Sequence, residues 1–284
     1  MLNKKTLTDF FLGCGAPYET ADWVLFGAPF DSTASNRPGA RFAPKAVRIE
    51  SNGIETYSPR QNRDMEETNI FDGGDLELCI GDASVALWQI EDAVKNILND
   101  SKRFAMIGGE HLVTLAAVRA LQGLHPGLRV LHFDAHADLR DKYLGAKLSH
   151  ATVMRRVWEI LGDGSIWQFG IRSGEKSEFV WASEHTSMQI FNLDGLQKTA
   201  ASFKDKPVYL TLDLDVLDPS VMPGTGTPEA GGIFFNELLD ALQSMPKMNI
   251  VGFDMVELSP PCDTSGASTA AACKLLREML LMFA

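Results

Sequence analysis

Apolar residues along this chain gather in short runs, and most runs are followed by a longer stretch where they recur every three or four positions. The short runs occupy residues 23–28, 69–72, 104–107, 129–133, 166–170, 189–192, 208–212 and 249–253. Several are apolar at almost every position, as in Val208-Tyr209-Leu210-Thr211-Leu212, which predicts strands covered on both faces. The helical spacing predicts helices over 43–50, 82–98, 112–122, 149–161, 192–202, 234–243 and 268–282. Strand followed by helix, repeated, predicts an α/β fold: three layers, α/β/α, around a mainly parallel sheet of about eight strands. No internal repeat, low-complexity tract or Pro/Ser-rich linker divides the chain, so residues 1–284 read as a single domain. In such folds ligands sit beyond the carboxyl ends of the strands, which makes the residues at those ends the informative ones.

Composition narrows the partners. Of 284 residues, 45% are hydrophobic, enough for a sizeable core, and 26 Lys+Arg against 37 Asp+Glu leave a formal net charge of -11. A field of that sign repels phosphate backbones and anionic lipid surfaces, which argues against nucleic acid and membranes as partners. No stretch approaches the ~18 apolar residues of a membrane span. Met1 to Lys5 and the residues after them lack an apolar block with a small-residue cleavage site, so no secretory leader is expected. Cys14, Cys79, Cys262 and Cys273 are scattered without a Cys-x-x-Cys pair, the usage expected of reduced, individually packed thiols in a cytoplasmic protein.

Three predicted strand ends carry related chemistry. Gly108-Gly109-Glu110-His111 follows the run ending at Ile107, Asp134-Ala135-His136-Ala137-Asp138 the run ending at Phe133, and Asp213-Leu214-Asp215 the run ending at Leu212. An extended backbone would put Asp134, His136 and Asp138 on one side, and Asp213 with Asp215 likewise, so that four carboxylates converge with His111. Carboxylates crowded in this way repel one another, and desolvating even one of them without a partner is costly or shifts its pKa. Two divalent cations would neutralise the four carboxylates, and two neutral imidazoles would complete the donor set. Such donors suit manganese better than calcium, which prefers oxygen alone, or structural zinc, which favours thiolates; iron, cobalt and zinc stay open. Taken singly, an Asp-x-Asp after a strand is an ordinary turn or helix cap, and His132 reads equally as a packed strand residue or as support for Asp134. The coincidence of three clusters is what a metal-free reading fails to explain.

With these clusters the sequence resembles the ureohydrolase family of arginases and agmatinases over nearly its whole length, from about Phe26 onward. The further shared motifs are Ser149-His150, Asp213-Leu-Asp-Val-Leu-Asp-Pro219, Gly224-Thr-Gly-Thr-Pro228, Gly231-Gly232 and Gly252-Phe-Asp-Met-Val-Glu257. The resemblance implies a binuclear centre of two Mn2+ ions bridged by Asp134 and Asp213. His111 and Asp138 would complete the shell of one ion, His136 and Asp215 that of the other. It also implies a hydrolase acting on linear amidines: the ions lower the pKa of a shared water, hydroxide attacks the guanidinium carbon, and urea and a primary amine leave. Asp138 would orient the nucleophile, and His150 would shuttle a proton or position substrate. Glu257 would hold the guanidinium NH2 groups through paired charge-assisted hydrogen bonds, with Thr227 lining the same pocket. On their own, His150 reads as a helix-start residue with a capping role and Glu257 as a strand-end acid in a surface ion pair.

Arginase-like relatives recognise an α-carboxylate and α-amine through an Asn and a Ser in a Ser-Gly-Asn-like stretch after the metal aspartate. Residues 139–148, Leu-Arg-Asp-Lys-Tyr-Leu-Gly-Ala-Lys-Leu, lack it. Together with residues 36–42 and Ile171-Arg172-Ser173, this makes the chain most like the agmatinases, implying conversion of agmatine to putrescine and urea in polyamine biosynthesis. Guanidinobutyrate, guanidinopropionate and arginine are the alternative substrates, and a metal-binding scaffold without turnover is the alternative function. The family also implies a homo-oligomer, trimer or hexamer. Arg37 and Arg41 read as structural, and His125 and His185 as exposed loop residues.

Overall fold

The computed structural model describes residues 10–284, so the reading of Met1 to Lys5 for a leader lies outside the described residues. The strands, in chain order, are β1 (Trp23–Ala28), β2 (Tyr57–Ser58), β3 (Arg63–Asp64), β4 (Ile70–Asp75) and β5 (Arg103–Gly108), then β6 (Arg129–Phe133), β7 (Ile166–Ile171), β8 (Ser187–Ile190), β9 (Pro207–Asp213) and β10 (Asn249–Val256). The helices are α1 (Ala43–Glu50), α2 (Ala83–Asn99), α3 (Thr114–Gln122), α4 (Val153–Leu161), α5 (Lys176–His185), α6 (Leu196–Phe203), α7 (Phe235–Gln243) and α8 (Ala267–Phe283).

Eight strands form one sheet in the order β4-β1-β5-β10-β9-β6-β7-β8, and every pairing in it is parallel. Both faces of the central strands are covered, which is why β1, β5, β9 and β10 are apolar at nearly every position, while the edge strands β4 and β8 carry polar residues. On one face Leu25, Ile107, Leu131 and Leu210 pack with Val47 of α1, Leu239 of α7 and Leu276 of α8. On the other, Phe26, Met106, Val130 and Tyr209 pack with Ile90 of α2, Leu115 of α3 and Val157 of α4. Burying a side chain of this kind contributes about 1.5–3 kcal/mol, so alternate residues of one strand hold the two outer layers together. The three-layer, eight-stranded architecture expected from the pattern is the one observed.

Strand order positions the site. The chain lays down β5 and β6 with a gap between them, and β9 and β10 return later to fill it. Register then aligns Ile107 of β5 with Met255 of β10, Met255 with Leu212 of β9, and Leu212 with Phe133 of β6. The three polar clusters and the segment leading to Glu257 therefore leave the sheet from one row of four neighbouring strands.

Several details differ from the pattern. Helix α5 has no helical apolar period, because Phe179, Val180 and Trp181 run consecutively; a reciprocal cap between Glu175 and Glu178 starts it. His185 is consequently the last residue of a helix, stacked on Trp181 at 4.3 Å between ring centroids, and not a loop residue. The hairpin of β2 and β3 is two residues per strand, too short for alternation to register. Helices α3 and α4 begin later than predicted because the tighter 3-10 turns His111–Val113 and His150–Thr152 precede them. No cysteine is in a disulfide; Cys14 and Cys273 are buried, Cys79 and Cys262 half-buried. Among the described residues no helix is long and apolar enough to cross a membrane.

Candidate metal centre

His111 leaves β5 through the turn Gly108-Gly109-Glu110. A Cβ at Gly109 would lie 1.9 Å from the Phe30 carbonyl oxygen, so a side chain is excluded by the close approach of the neighbouring backbone. That backbone anchors the turn: Ala28 O accepts from Gly109 N–H at 2.9 Å and Phe30 O from Glu110 N–H at 2.7 Å. The His111 ring is fully buried, with Nε2 at 2.9 Å from Thr211 Oγ1. Its Nδ1 is thereby turned into the acidic cluster, 3.0 Å from Asp134 Oδ2, 3.2 Å from Asp213 Oδ2 and 3.4 Å from Asp138 Oδ2. It is aligned for a hydrogen bond with none of them.

The carboxylates converge by a different route from the extended backbone expected. Strand β6 ends at Phe133, and Asp134 Oδ1 accepts the His136 backbone N–H at 2.5 Å, closing a turn. Asp138 then adopts a left-handed φ of 54°, and its carbonyl accepts the Met154 and Arg155 N–H groups in the first turn of α4, at 3.0 and 3.2 Å. Asp213 Oδ1 likewise accepts the Asp215 N–H at 2.8 Å and starts the 3-10 turn Leu214–Val216. Turns, closed by the carboxylates of Asp134 and Asp213 and at Asp138 by its backbone carbonyl, and not strand alternation, collect these side chains.

Two poles result. Asp134 presents Oδ2 to His111 and Oδ1 to His136 Nδ1, the latter at 3.5 Å. Asp215 Oδ2 stands 3.0 Å from the same His136 nitrogen, while its Oδ1 accepts the Ala135 N–H at 3.1 Å. His111 Nδ1 and Asp215 Oδ2 are buried without a hydrogen-bond partner among the described residues, one at each pole. Orphaned donor atoms of this type, ringed by carboxylates, fit a pair of divalent cations.

The electrostatics point the same way. Burial disfavours a charged His111, yet Asp134, Asp138 and Asp213 reverse this and raise its pKa well above the usual range. His136 behaves alike: burial opposes the charge, and Asp215 and Asp134 raise its pKa. Burial and the Asp134 charge push Asp138 up to about 7, and burial with Asp215 and Asp134 raises Asp213. Burial also resists ionisation of Asp134, but His111, His132 and His136 hold it well below the carboxylate range. Without cations the cluster retains protons to offset its negative charge.

Above the cluster is a cavity of about 250 Å³ lined by His136, Asp138, Asp213, Asp215, His150, Thr227 and Glu257. His111 and Asp134 lie beneath it, fully buried. Glu257 has a left-handed φ of 65°, and its Oε1 accepts the His111 backbone N–H at 2.6 Å. Burial and the charge of Glu110 raise its pKa well above the ordinary value. Burial lowers that of His150 to about 4, against the Thr33 backbone, which pulls upward. Ser149 caps the turn that His150 begins, so His150 itself is not the cap. Arg37 and Arg41 serve structure: Arg37 donates to the Thr225 carbonyl at 2.8 Å, and Arg41 pairs with Asp31. The sequence reading missed Arg140, Tyr143 and Glu178, which line the outer cavity. Arg140 and Tyr143 stand in the segment after Asp138, where position alone was the available signal.

Comparison with known proteins agrees with this picture. The model of the arginase family matches residues 21–282. An agmatinase of Bacillus anthracis is 43% identical over 276 residues, covering 95% of each chain. A proclavaminate amidinohydrolase of Streptomyces clavuligerus is 34% identical, covering 93% of this chain and 88% of that protein. The crystal structure of the agmatine ureohydrolase of Thermoplasma volcanium superposes with a TM-score of 0.88 at 34% identity, over 97% of this chain and 94% of the other.

Proposed function

Because the chain belongs to the arginase family, we propose that it is a binuclear manganese hydrolase converting agmatine to putrescine and urea. The observation that carries this reading is the buried, unpartnered Nδ1 of His111 among Asp134, Asp138 and Asp213. His111, Asp134, Asp138 and Asp213 would hold one ion, and His136 and Asp215, with Asp134 and Asp213 bridging, the other. When bound, the cations would supply hydroxide from water at neutral pH.

The remaining steps belong to the chain's own residues. Glu257 lines the cavity with Oε1 engaged by the His111 N–H, which leaves Oε2 for the guanidinium. A guanidinium there restores the ionised carboxylate that burial disfavours. Asp138 orients the nucleophile by accepting its proton in a hydrogen bond. As the nucleophile's hydroxyl becomes the urea carbonyl, its proton passes to Asp138. His150, neutral near pH 7 with Ser35 Oγ at 3.3 Å from Nε2 and Ser149 Oγ at 3.3 Å from Nδ1, relays a proton by taking it up at one ring nitrogen while giving one from the other to the leaving nitrogen. Cleavage of the C–N bond then leaves urea and a primary amine. Thr227 shapes the wall beside Glu257.

The outer cavity supports agmatine over carboxylated guanidines. Arg140 is the cation on that wall, but Glu175 Oε1 meets its Nη1 at 3.2 Å and Glu178 Oε2 its Nε at 3.4 Å. Its charge is already matched, so a substrate carboxylate finds no free partner there. The test is urea release by the Mn2+-loaded protein from agmatine, guanidinobutyrate, guanidinopropionate and arginine. Agmatine should give the highest kcat/KM. Preference for a carboxylated guanidine overturns the substrate, and silence on all four leaves the scaffold reading. We extend the proposal to a cytoplasmic trimer or hexamer, its assembly checked by light scattering.

A further inference from the structure

Glu110 is fully buried between the metal turn and the loop 31–36, and nothing in the chemistry above uses it. Its carboxylate accepts twice from one residue: Thr33 N–H reaches Oε2 at 2.8 Å and Thr33 Oγ1–H reaches Oε1 at 2.5 Å. The Thr33 hydroxyl has one proton, and Glu110 takes it. The oxygen therefore meets its other neighbour as an acceptor, and that neighbour is the backbone N–H of His150, at 3.1 Å. Two residues further on, Ser35 Oγ lies 3.3 Å from Nε2 of the same histidine. One loop thus touches both the backbone and the ring of His150, and Glu110 fixes that loop to the turn carrying His111.

A buried carboxylate holding paired charge-assisted hydrogen bonds is a stiff joint. Removing the Thr33 hydroxyl would leave a Glu110 oxygen and the His150 N–H short of partners, so the contact is directional as well as close. His150 is half-buried at the cavity wall, with the Tyr143 ring edge-on at 5.6 Å, so a shift at its backbone carries the ring with it. We infer that Thr33, held by Glu110, is a positioning residue that sets the place of the His150 ring over the cavity; the catalytic part of this rests on the hydrolase reading above.

The experiment compares Thr33→Val and Thr33→Ser with the parent protein. Bound metal per chain is measured by elemental analysis, kcat and KM on agmatine in the Mn2+-loaded form, and the His150 Cε1–H resonance by NMR in the metal-free form. The resonance is assigned by its loss in His150→Asn. Thr33→Val should keep the parental metal content, lose about 10- to 100-fold in kcat with a smaller change in KM, and displace the His150 resonance. Thr33→Ser, which keeps the hydroxyl, should restore both kcat and the resonance. The inference is overturned if Thr33→Val leaves kcat and the resonance unchanged, if its loss of activity follows loss of metal, or if Thr33→Ser is as impaired as Thr33→Val. Should the parent protein hydrolyse no guanidine, the hydrolase reading falls by itself, and the resonance still decides whether Thr33 places His150.

Discussion

His132 Nε2 lies 2.8 Å from Asp134 Oδ2, and its Nδ1 lies 3.0 Å from the Gln168 side-chain amide nitrogen. The amide donates to one ring nitrogen, so the other carries the proton and points it at the carboxylate. Of the two readings open for His132, packing or support, the geometry selects support. In metal sites generally, partners of this kind orient the ligand carboxylates and typically account for about 10- to 100-fold in affinity. His132→Phe, which fills the space without the hydrogen bond, should weaken Mn2+ binding by about that factor in calorimetric titration. Unchanged affinity would return His132 to a packing role.

Asp134 faces both imidazoles, through Oδ2 to His111 and Oδ1 to His136. Asp213 faces His111 through Oδ2. Asp134→Ala and Asp213→Ala should therefore each lose the two-ion centre, read as metal per chain after dialysis. A full complement of two ions in either variant would remove that residue's bridging assignment.

The metal-free protein should lose stability as pH rises. Asp138 and Glu110 both rise to about 7, from ordinary values of 3.8 and 4.5, mainly through burial. Asp213 and Glu257 shift in the same direction, as do His111 and His136. Across the window from about 4 to 7 the folded chain binds more protons than the unfolded one, so its stability declines with pH. The histidines extend the decline above their ordinary range. His150, lowered to about 4, and His132 and His125, also lowered, act in the opposite sense within this window, against the five raised carboxyls Asp138, Glu110, Asp213, Glu257 and Asp254. Asp134 is lowered too, but its effect falls below the window. Cations displace the retained protons, so metal binding releases protons and tightens with pH. Thermal scans at pH of about 5.5 and about 8 should show a lower metal-free Tm, and a larger gain from Mn2+, at the higher pH. A larger gain at the lower pH contradicts the account.

Gly109 tests the turn itself. A methyl group there would meet the Phe30 backbone, which cannot swing aside as a side chain could. Gly109→Ala should destabilise the protein by about 3 kcal/mol or more in denaturant unfolding. A change below about 1 kcal/mol would mean that the 28–30 segment yields easily.

Much of this was legible in the chain. Val208 to Leu212 is apolar at nearly every position because both faces of β9 are covered, and its Asp213 and Asp215 stand out against that background. The three clusters were recognisable because ionisable residues at strand ends break an apolar pattern. Helix α5 was not recognisable, since Phe179, Val180 and Trp181 mark no face. Nor was the role of Glu110, whose partner Thr33 lies 77 residues earlier, or the bond between the His111 N–H and Glu257, spanning 146 residues.

The sequence by itself determined the alternation of strands and helices, the burial of both sheet faces and the donor types at the strand ends. Each depends on neighbours along the chain, where periodicity and residue type speak directly. Only the tertiary structure decided that β10 and β9 stand between β5 and β6, that Asp134 and Asp213 close the turns at the strand ends, and that Glu110 reaches His150 through Thr33. Those contacts join segments far apart in the chain, and their geometry follows from how the layers pack, which leaves no local period to read.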